Sequence, residues 1–207
     1  MNYLVYETIY HSNPTPFQEP IREHKITFSF GNSFLLVSLL LTFLLFTTLS
    51  YARPTNDLIS DICSKTRNPT ACSQALRSDH RSASADLKGL GQIGIDLAQA
   101  SAKTTYNLIA SLEKTTSDPK LKGRYSSCLE NYDDAIGYLD DCRRFLWSGD
   151  YGSLSTYASA VLDEPETCQD SFEDPPAAPP QLQLGNQKLE NLSSVNLAIS
   201  SRLFGRN

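Results

Sequence analysis

Histidine, methionine and tryptophan are scarce in this 207-residue chain, which has three His, one Met and one Trp. Only His80 lies beyond residue 52, so a Ser-His-Asp or Cys-His site would have to be built on that one imidazole. It sits in the polar connector Ser78-Asp79-His80-Arg81, where an exposed loop histidine is the simpler reading. No GxSxG elbow, HExxH, CxxC or glycine-rich phosphate loop is present. Basic excess is also lacking: 18 Lys and Arg against 23 Asp and Glu leave a net charge of −5, which argues against a nucleic-acid binder. Paired carboxylates occur at Asp133-Asp134 and Asp140-Asp141. Neighbours on a helix point about 100° apart, so neither pair faces itself across a glycosidase cleft. Together these absences favour a binding or inhibitory module over an enzyme and imply no cofactor and no metal.

Charge is missing in a second sense near the N-terminus, where no charged residue stands between Lys25 and Arg53. Phe34 to Leu49 reads FLLVSLLLTFLLFTTL, an apolar core shorter than the ~20 residues that span a bilayer. Arg22, His24 and Lys25 precede it, and Ser50-Tyr51-Ala52 places small residues where a signal peptidase reads. Residues 1–52 are therefore expected to be a signal peptide with a long n-region, cleaved after Ala52; the alternative is an uncleaved signal anchor. Residues 53–207 then form one secreted, extracellular domain with no membrane contact after cleavage.

All five cysteines, at 63, 72, 128, 142 and 168, lie beyond the leader and meet an oxidising compartment. One is left over, and spacing alone leaves fifteen connectivities open. Cys63 and Cys72 flank Asn68-Pro69, a turn that also starts a helix, and can close a short hairpin. Cys128, Tyr132, Ala135, Leu139, Cys142 and Leu146 follow the 4-3 spacing of one buried helix face. Fourteen residues put Cys128 and Cys142 about 21 Å apart along that axis, too far to bond. Cys168, after the next helical stretch, is paired here with Cys128, leaving Cys142 as a free thiol that reads as a small buried apolar residue.

Charge is unevenly spread. Residues 53–127 carry eleven basic and seven acidic side chains, while 128–174 carry two basic and twelve acidic, a net of −10. Such a block is a solvated face or a surface that docks on a positive cleft.

The chain reads as all-α. Asn56 precedes an apolar-periodic stretch ending at Cys63, and a second short helix runs from Pro69 to about Arg77, giving a hairpin over 56–80. A four-helix bundle over 84–204 follows. Its first helix starts at Ser84, with Ser82 and Ser84 as capping residues, and buries Leu87, Leu90, Gly94, Leu97, Ser101, Leu108 and Leu112. Gly89, Gly91 and Gly94 predict a close backbone neighbour or a kink. Asp118-Pro119 opens the second helix and Ser148-Gly149-Asp150 ends it. The third spans Tyr151 to Leu162, then a turn at Asp163-Glu164-Pro165 leads into a short helical piece with Cys168 and Phe172. After the stiff linker 174–180 the last helix covers Leu182 to Phe204. Asn191-Leu192-Ser193 is an N-glycosylation sequon on that helix, whereas Asn68-Pro69-Thr70 fails through its proline. Short joins make the bundle antiparallel.

Four segments carry a family likeness: Cys63-Ser-Lys-Thr-Arg-Asn-Pro-Thr-Ala-Cys72, Asp118-Pro-Lys-Leu-Lys-Gly-Arg-Tyr125, Cys128-Leu-Glu-Asn-Tyr-Asp-Asp-Ala-Ile136 and Thr167-Cys168-Gln-Asp170-Ser-Phe172. They resemble the plant invertase and pectin methylesterase inhibitor family over about residues 56–203, and within it the fruit-type pectin methylesterase inhibitors. The resemblance implies bridges Cys63–Cys72 and Cys128–Cys168, and a non-covalent one-to-one complex in which the bundle covers the target enzyme's cleft. Carried over by position, it implies partner contacts at Glu130, Asp134, Thr167 and Asp170. Gly137 stands where the family pattern has an acid and Ser155 where it has an Asn. The family's extra cysteine falls at Ser193, while this chain has Cys142. Inhibition of an acid invertase is the alternative, though that branch presents Pro-Lys-Phe where this chain has Pro119-Lys120-Leu121. A helical carrier or structural wall protein, or the pro-region of a larger esterase, are the remaining readings.

Overall fold

The computed structural model describes Val37 and residues 55–205; the expected leader, apart from Val37, and its cleavage point lie outside the described residues. The chain divides into two compact units, Met1–Tyr51 and Ala52–Asn207, and the six helices described belong to the second. They are α1 (Thr55–Cys63), α2 (Pro69–Ser78), α3 (Leu87–Thr115), α4 (Pro119–Ser148), α5 (Tyr151–Asp170) and α6 (Pro180–Phe204), with a 3₁₀ turn over His80–Ala83.

Acidic and amide caps set most of the starts. Asn68 accepts from the Ala71 amide at 3.0 Å, Asp86 from Gly89 at 2.7 Å, Asp118 from Lys120 at 2.8 Å and Asp150 from Ser153 at 3.0 Å. Pro119 occupies the first turn of α4, and each cap contributes about 1 kcal/mol. Gly149 ends α4 in the left-handed region at φ 79°, which an L side chain adopts only with strain.

Three expected boundaries are corrected. Helix α1 begins at Thr55, so Asn56 lies inside its first turn instead of ahead of it. Asp79 accepts from the Arg81 amide and holds a 3₁₀ turn, which delays the long helix until Asp86 can cap it; Ser82 and Ser84 are not its caps. Asp163-Glu164-Pro165 is no turn, because α5 runs unbroken through a buried Pro165 to Asp170. A proline there removes the hydrogen bond to the Val161 carbonyl and crowds that carbonyl with its ring, and packing against α4 and α6 holds the turns on both sides.

The four long helices form a ring in which α3 neighbours α4, α4 neighbours α5, α5 neighbours α6 and α6 closes onto α3. Helix α4 buries Cys128, Tyr132, Ala135, Leu139, Cys142 and Leu146, the stripe its spacing predicts. Helix α3 departs from expectation: Leu97, Leu108 and Leu112 are half-buried, and Ile93, Ala98, Ala102, Thr105 and Ile109 fill the core instead. Small residues on that stripe let α6 come close. A Cβ at Gly94 would collide with the buried Asn196 amide of α6, and one at Gly91 would lie 3.3 Å from Leu146 and Ile199. Close approach, not a kink, is thus the compensation for these glycines, and α3 is continuous for 29 residues.

The hairpin α1–α2 is closed by the Cys63–Cys72 disulfide and lies over α6 and α3. Arg81 of the 3₁₀ turn joins Asp79 and Asp96, and Arg143 of α4 reaches the same Asp96 at 2.6 Å, so one ion network fixes the turn to α3 and α4. The Arg81 guanidinium and amide hold the Asp79 carboxyl down to about 2. Because the hairpin covers the α3/α6 side, the outward face of α4 and α5 is left open.

Candidate functional site

Two stripes of polar side chains line that open face. On α4, Glu130, Asp134 and Gly137 are exposed and spaced four and three residues apart; on α5, Asp163, Thr167 and Asp170 repeat the same spacing and exposure. A 4-3 spacing keeps residues on one side of a helix, so each stripe points one way. The Cys128–Cys168 disulfide bolts the helices together two residues from Glu130 and between Thr167 and Asp170. Further along, Asn131 donates to Glu164 at 2.8 Å and the rings of Tyr138 and Tyr157 meet edge-on at 5.8 Å. These links set the antiparallel register, with Glu130 beside the Thr167–Asp170 turn and Asp134 toward Glu164.

Among the described residues no ion pair engages Glu130, Asp134, Asp163 or Asp170. Other members of the acidic block are neutralised or capped: Asp141 pairs with Arg144 at 2.7 Å, Glu166 pairs with Arg67, Asp140 accepts from Gln99 at 2.7 Å, and Asp150 caps α5. The two stripes thus keep four carboxylates outside any ion pair, with Asp133, Glu173 and Asp174 of the block also unpaired among the described residues. Desolvation at the helix seam raises the Glu164 carboxyl above its ordinary range, and the charges of Asp134 and Asp163 add to the rise. The charge of Asp134, more than burial, likewise raises the Tyr138 phenol.

Ser155 is not part of this arrangement. It is half-buried and twelve residues from Thr167, about 120° round the helix, toward the side from which Gln169 meets Asn186 of α6. Sequence reasoning in turn missed Asp163 and Glu164, hidden by the assumed turn, although the spacing of Asp163, Thr167 and Asp170 was there to read. Cys142 is a free, fully buried thiol, and burial pushes it up to about 12. Such a thiol is no nucleophile at ordinary pH. Among the described residues no group of three or more His, Cys, Asp or Glu could hold a metal. The face offers exposed carboxylates and hydroxyls on a rigid two-helix platform, which is chemistry for recognition.

A family model of plant invertase/pectin methylesterase inhibitors matches residues 57–199. The chain belongs to that family. A pectinesterase inhibitor from Actinidia deliciosa is 56% identical over 184 residues, covering 87% of this chain and 99% of that protein. A cell wall/vacuolar inhibitor of fructosidase from Arabidopsis thaliana is 34% identical over 64% of this chain and 74% of its own length. The crystal structure of a mutant form of a pectin methylesterase inhibitor from Arabidopsis superposes with a TM-score of 0.64 at 32% identity, covering 69% of this chain and 95% of that one. The all-helical bundle with two disulfides is thus the fold of this inhibitor family. Among the described residues no helix is long and apolar enough to cross a membrane.

Proposed function

We propose that this protein inhibits pectin methylesterase by seating the α4/α5 face over the enzyme's cleft in a non-covalent one-to-one complex. The identity to the Actinidia inhibitor along nearly that protein's full length is the observation that carries the reading. The geometry supports it: Glu130, Asp134, Thr167 and Asp170 share the one broad face that the hairpin leaves uncovered, and three of them are carboxylates without ion-pair partners. Pectin becomes polyanionic as its methyl esters are removed, so a carboxylate-bearing face can partly mimic the product in the cleft. Gly137 lies on the same stripe and contributes a flat spot. Export through the leader, with removal after Ala52, would deliver the inhibitor to the cell wall where pectin lies.

A second reading, inhibition of an acid invertase, draws on the fructosidase-inhibitor relative. Against it, Lys120 of Pro119-Lys120-Leu121 donates to the Pro175 carbonyl at 3.1 Å and is tied to the α5–α6 linker. Titrating the oxidised protein against a pectin methylesterase and an acid invertase in parallel separates the two. Stoichiometric loss of esterase activity alone is the expected result. The triple variant E130Q/D134N/D170N is expected to bind at least about tenfold more weakly, through both a slower approach and a faster release; unchanged inhibition would sink the role of these carboxylates.

A further inference from the structure

The side of the bundle opposite the open face carries an apolar groove of about 530 Å³ between α2 and α6. Ala71 and Ala75 form one wall, and Leu184, Leu192 and Val195 form the other. Leu184 is 65% exposed, although leucine is among the residue types most often buried. Asn191 stands in the wall of the same groove and heads the sequon Asn191-Leu192-Ser193.

We propose that Asn191 carries an N-linked glycan and that the first sugar of this glycan covers the groove. The inference rests on the export reading, since the modification requires passage through the secretory pathway. Helical side chains lean toward the N-terminal end of their helix. A sugar on Asn191 is therefore directed back over Lys188, Gln187 and Leu184, the residues that line the groove one and two turns earlier. The acetyl methyl and the C–H face of N-acetylglucosamine supply apolar surface for Leu184 and Ala75, and its hydroxyls face solvent and the side chains of Gln74, Gln187 and Lys188.

In the transfer step the Asn191 Nδ2 forms a bond to C1 of the terminal N-acetylglucosamine of a lipid-pyrophosphate oligosaccharide. The C1–O bond to pyrophosphate breaks, the lipid pyrophosphate leaves, and the amide gives up one proton. Timing follows from the fold. Ser193, which completes the sequon, is fully buried and donates to the Leu189 carbonyl at 2.8 Å, so it can be read only before α6 docks. The glycan is added to the emerging chain and ends on the surface because Asn191 itself is only half-buried.

The test is to express the full chain in plant leaves and recover it from the apoplastic fluid. One glycan, removed by a peptide N-glycosidase active on plant glycans and absent from both N191Q and S193A, is expected. N191Q is expected to inhibit the esterase like the parent, since Asn191 lies away from the α4/α5 face, and to bind an apolar dye at least about twofold more strongly. Unmodified Asn191 on protein recovered from the apoplast overturns the proposal and leaves export intact; unmodified protein retained inside the cell overturns both. A glycan on Asn191 with dye binding equal to that of N191Q overturns the covering of the groove.

Discussion

Replacing Cys128 and Cys168 together by alanine is expected to lower the unfolding free energy by about 4 kcal/mol. The bridge spans 40 residues of chain, and the entropy lost by the unfolded state on closing a loop of that size is worth about 4 kcal/mol, against about 3 kcal/mol for the nine-residue separation of Cys63 and Cys72. Both sulfurs of the longer bridge are fully buried, so removing them also leaves unfilled space that adds to the loss. In a domain of this size each kcal/mol moves Tm by about 2–4 °C, which converts the loss to about 8–16 °C. Thermal unfolding of the oxidised parent, C128A/C168A and C63A/C72A, followed by far-ultraviolet circular dichroism, reads the differences directly. A functional consequence accompanies the stability loss. The bridge holds the turn bearing Glu130 against the turn bearing Thr167 and Asp170, so C128A/C168A, assayed where it is still folded, must order the two stripes on binding and is expected to inhibit more weakly. C63A/C72A leaves that face untouched and is expected to inhibit like the parent. A loss below about 1 kcal/mol in C128A/C168A, or equal inhibition by both variants, would refute the reasoning.

Two glycines should respond to alanine in opposite senses. At Gly185 a Cβ would sit 2.6 Å from the methyl and 2.7 Å from the hydroxyl of the buried Thr105, so Gly185→Ala is expected to cost about 1–3 kcal/mol in urea unfolding. At Gly137 nothing lies within 4 Å, so Gly137→Ala is expected to gain up to about 1 kcal/mol and Gly137→Asp to tighten inhibition by restoring a charge on the α4 stripe. Stability should also depend on pH. Burial and the charges of Asp134 and Asp163 raise the Glu164 carboxyl, so it gains its proton earlier than an ordinary carboxylate as pH falls and then no longer repels Asp134. A raised carboxylate pKa means that the folded, crowded state favours the protonated form, so its cost is present at neutral pH and is relieved on acidification. E164Q is therefore expected to stabilise the fold more at neutral pH than in acid, read by urea unfolding at the two pH values; an equal effect at both would refute it.

The parts of the fold that the sequence made legible are those written in local chemistry. Asp118-Pro119 and Gly149 mark the ends of α4 because capping and left-handed termination act within a few residues. The Cys128 to Leu146 stripe is legible because six buried positions repeat at one period over a single unbroken helix. Where local and tertiary preferences disagree, the local reading fails. Asp163-Glu164-Pro165 looks like a turn, yet a proline in a buried helix position costs one hydrogen bond, while ending α5 there would withdraw Cys168 from Cys128 and Phe172 from Tyr125, whose rings lie 5.7 Å apart. That error hid Asp163 and Glu164, and with them half of the α5 contribution to the open face. Leu97, Leu108 and Leu112 of α3 misled for the related reason that bulk suggests burial, whereas the contact with α6 is built on Gly91 and Gly94, where small size is what permits the approach.

The same logic accounts for how the molecule divides its surface. The disulfide-closed hairpin packs on α6 and α3, and the ion network through Arg81, Asp96 and Arg143 draws the neighbouring charges of that side into pairs. On the α4/α5 side the pairing stops short: Arg143 turns inward to Asp96 and Arg144 is engaged by Asp141, so the only two cations between residues 128 and 174 are both committed. Glu130, Asp134, Asp163 and Asp170 are left outside any ion pair among the described residues, on helices that cannot move apart, because Cys128–Cys168 links their backbones at a Cα separation of 4.7 Å. Unpaired exposed carboxylates add nothing to the stability of the free protein and repel one another. Their gain would come when a positively charged surface takes the place of the missing cations, which is the electrostatic basis of the docking role proposed for this face.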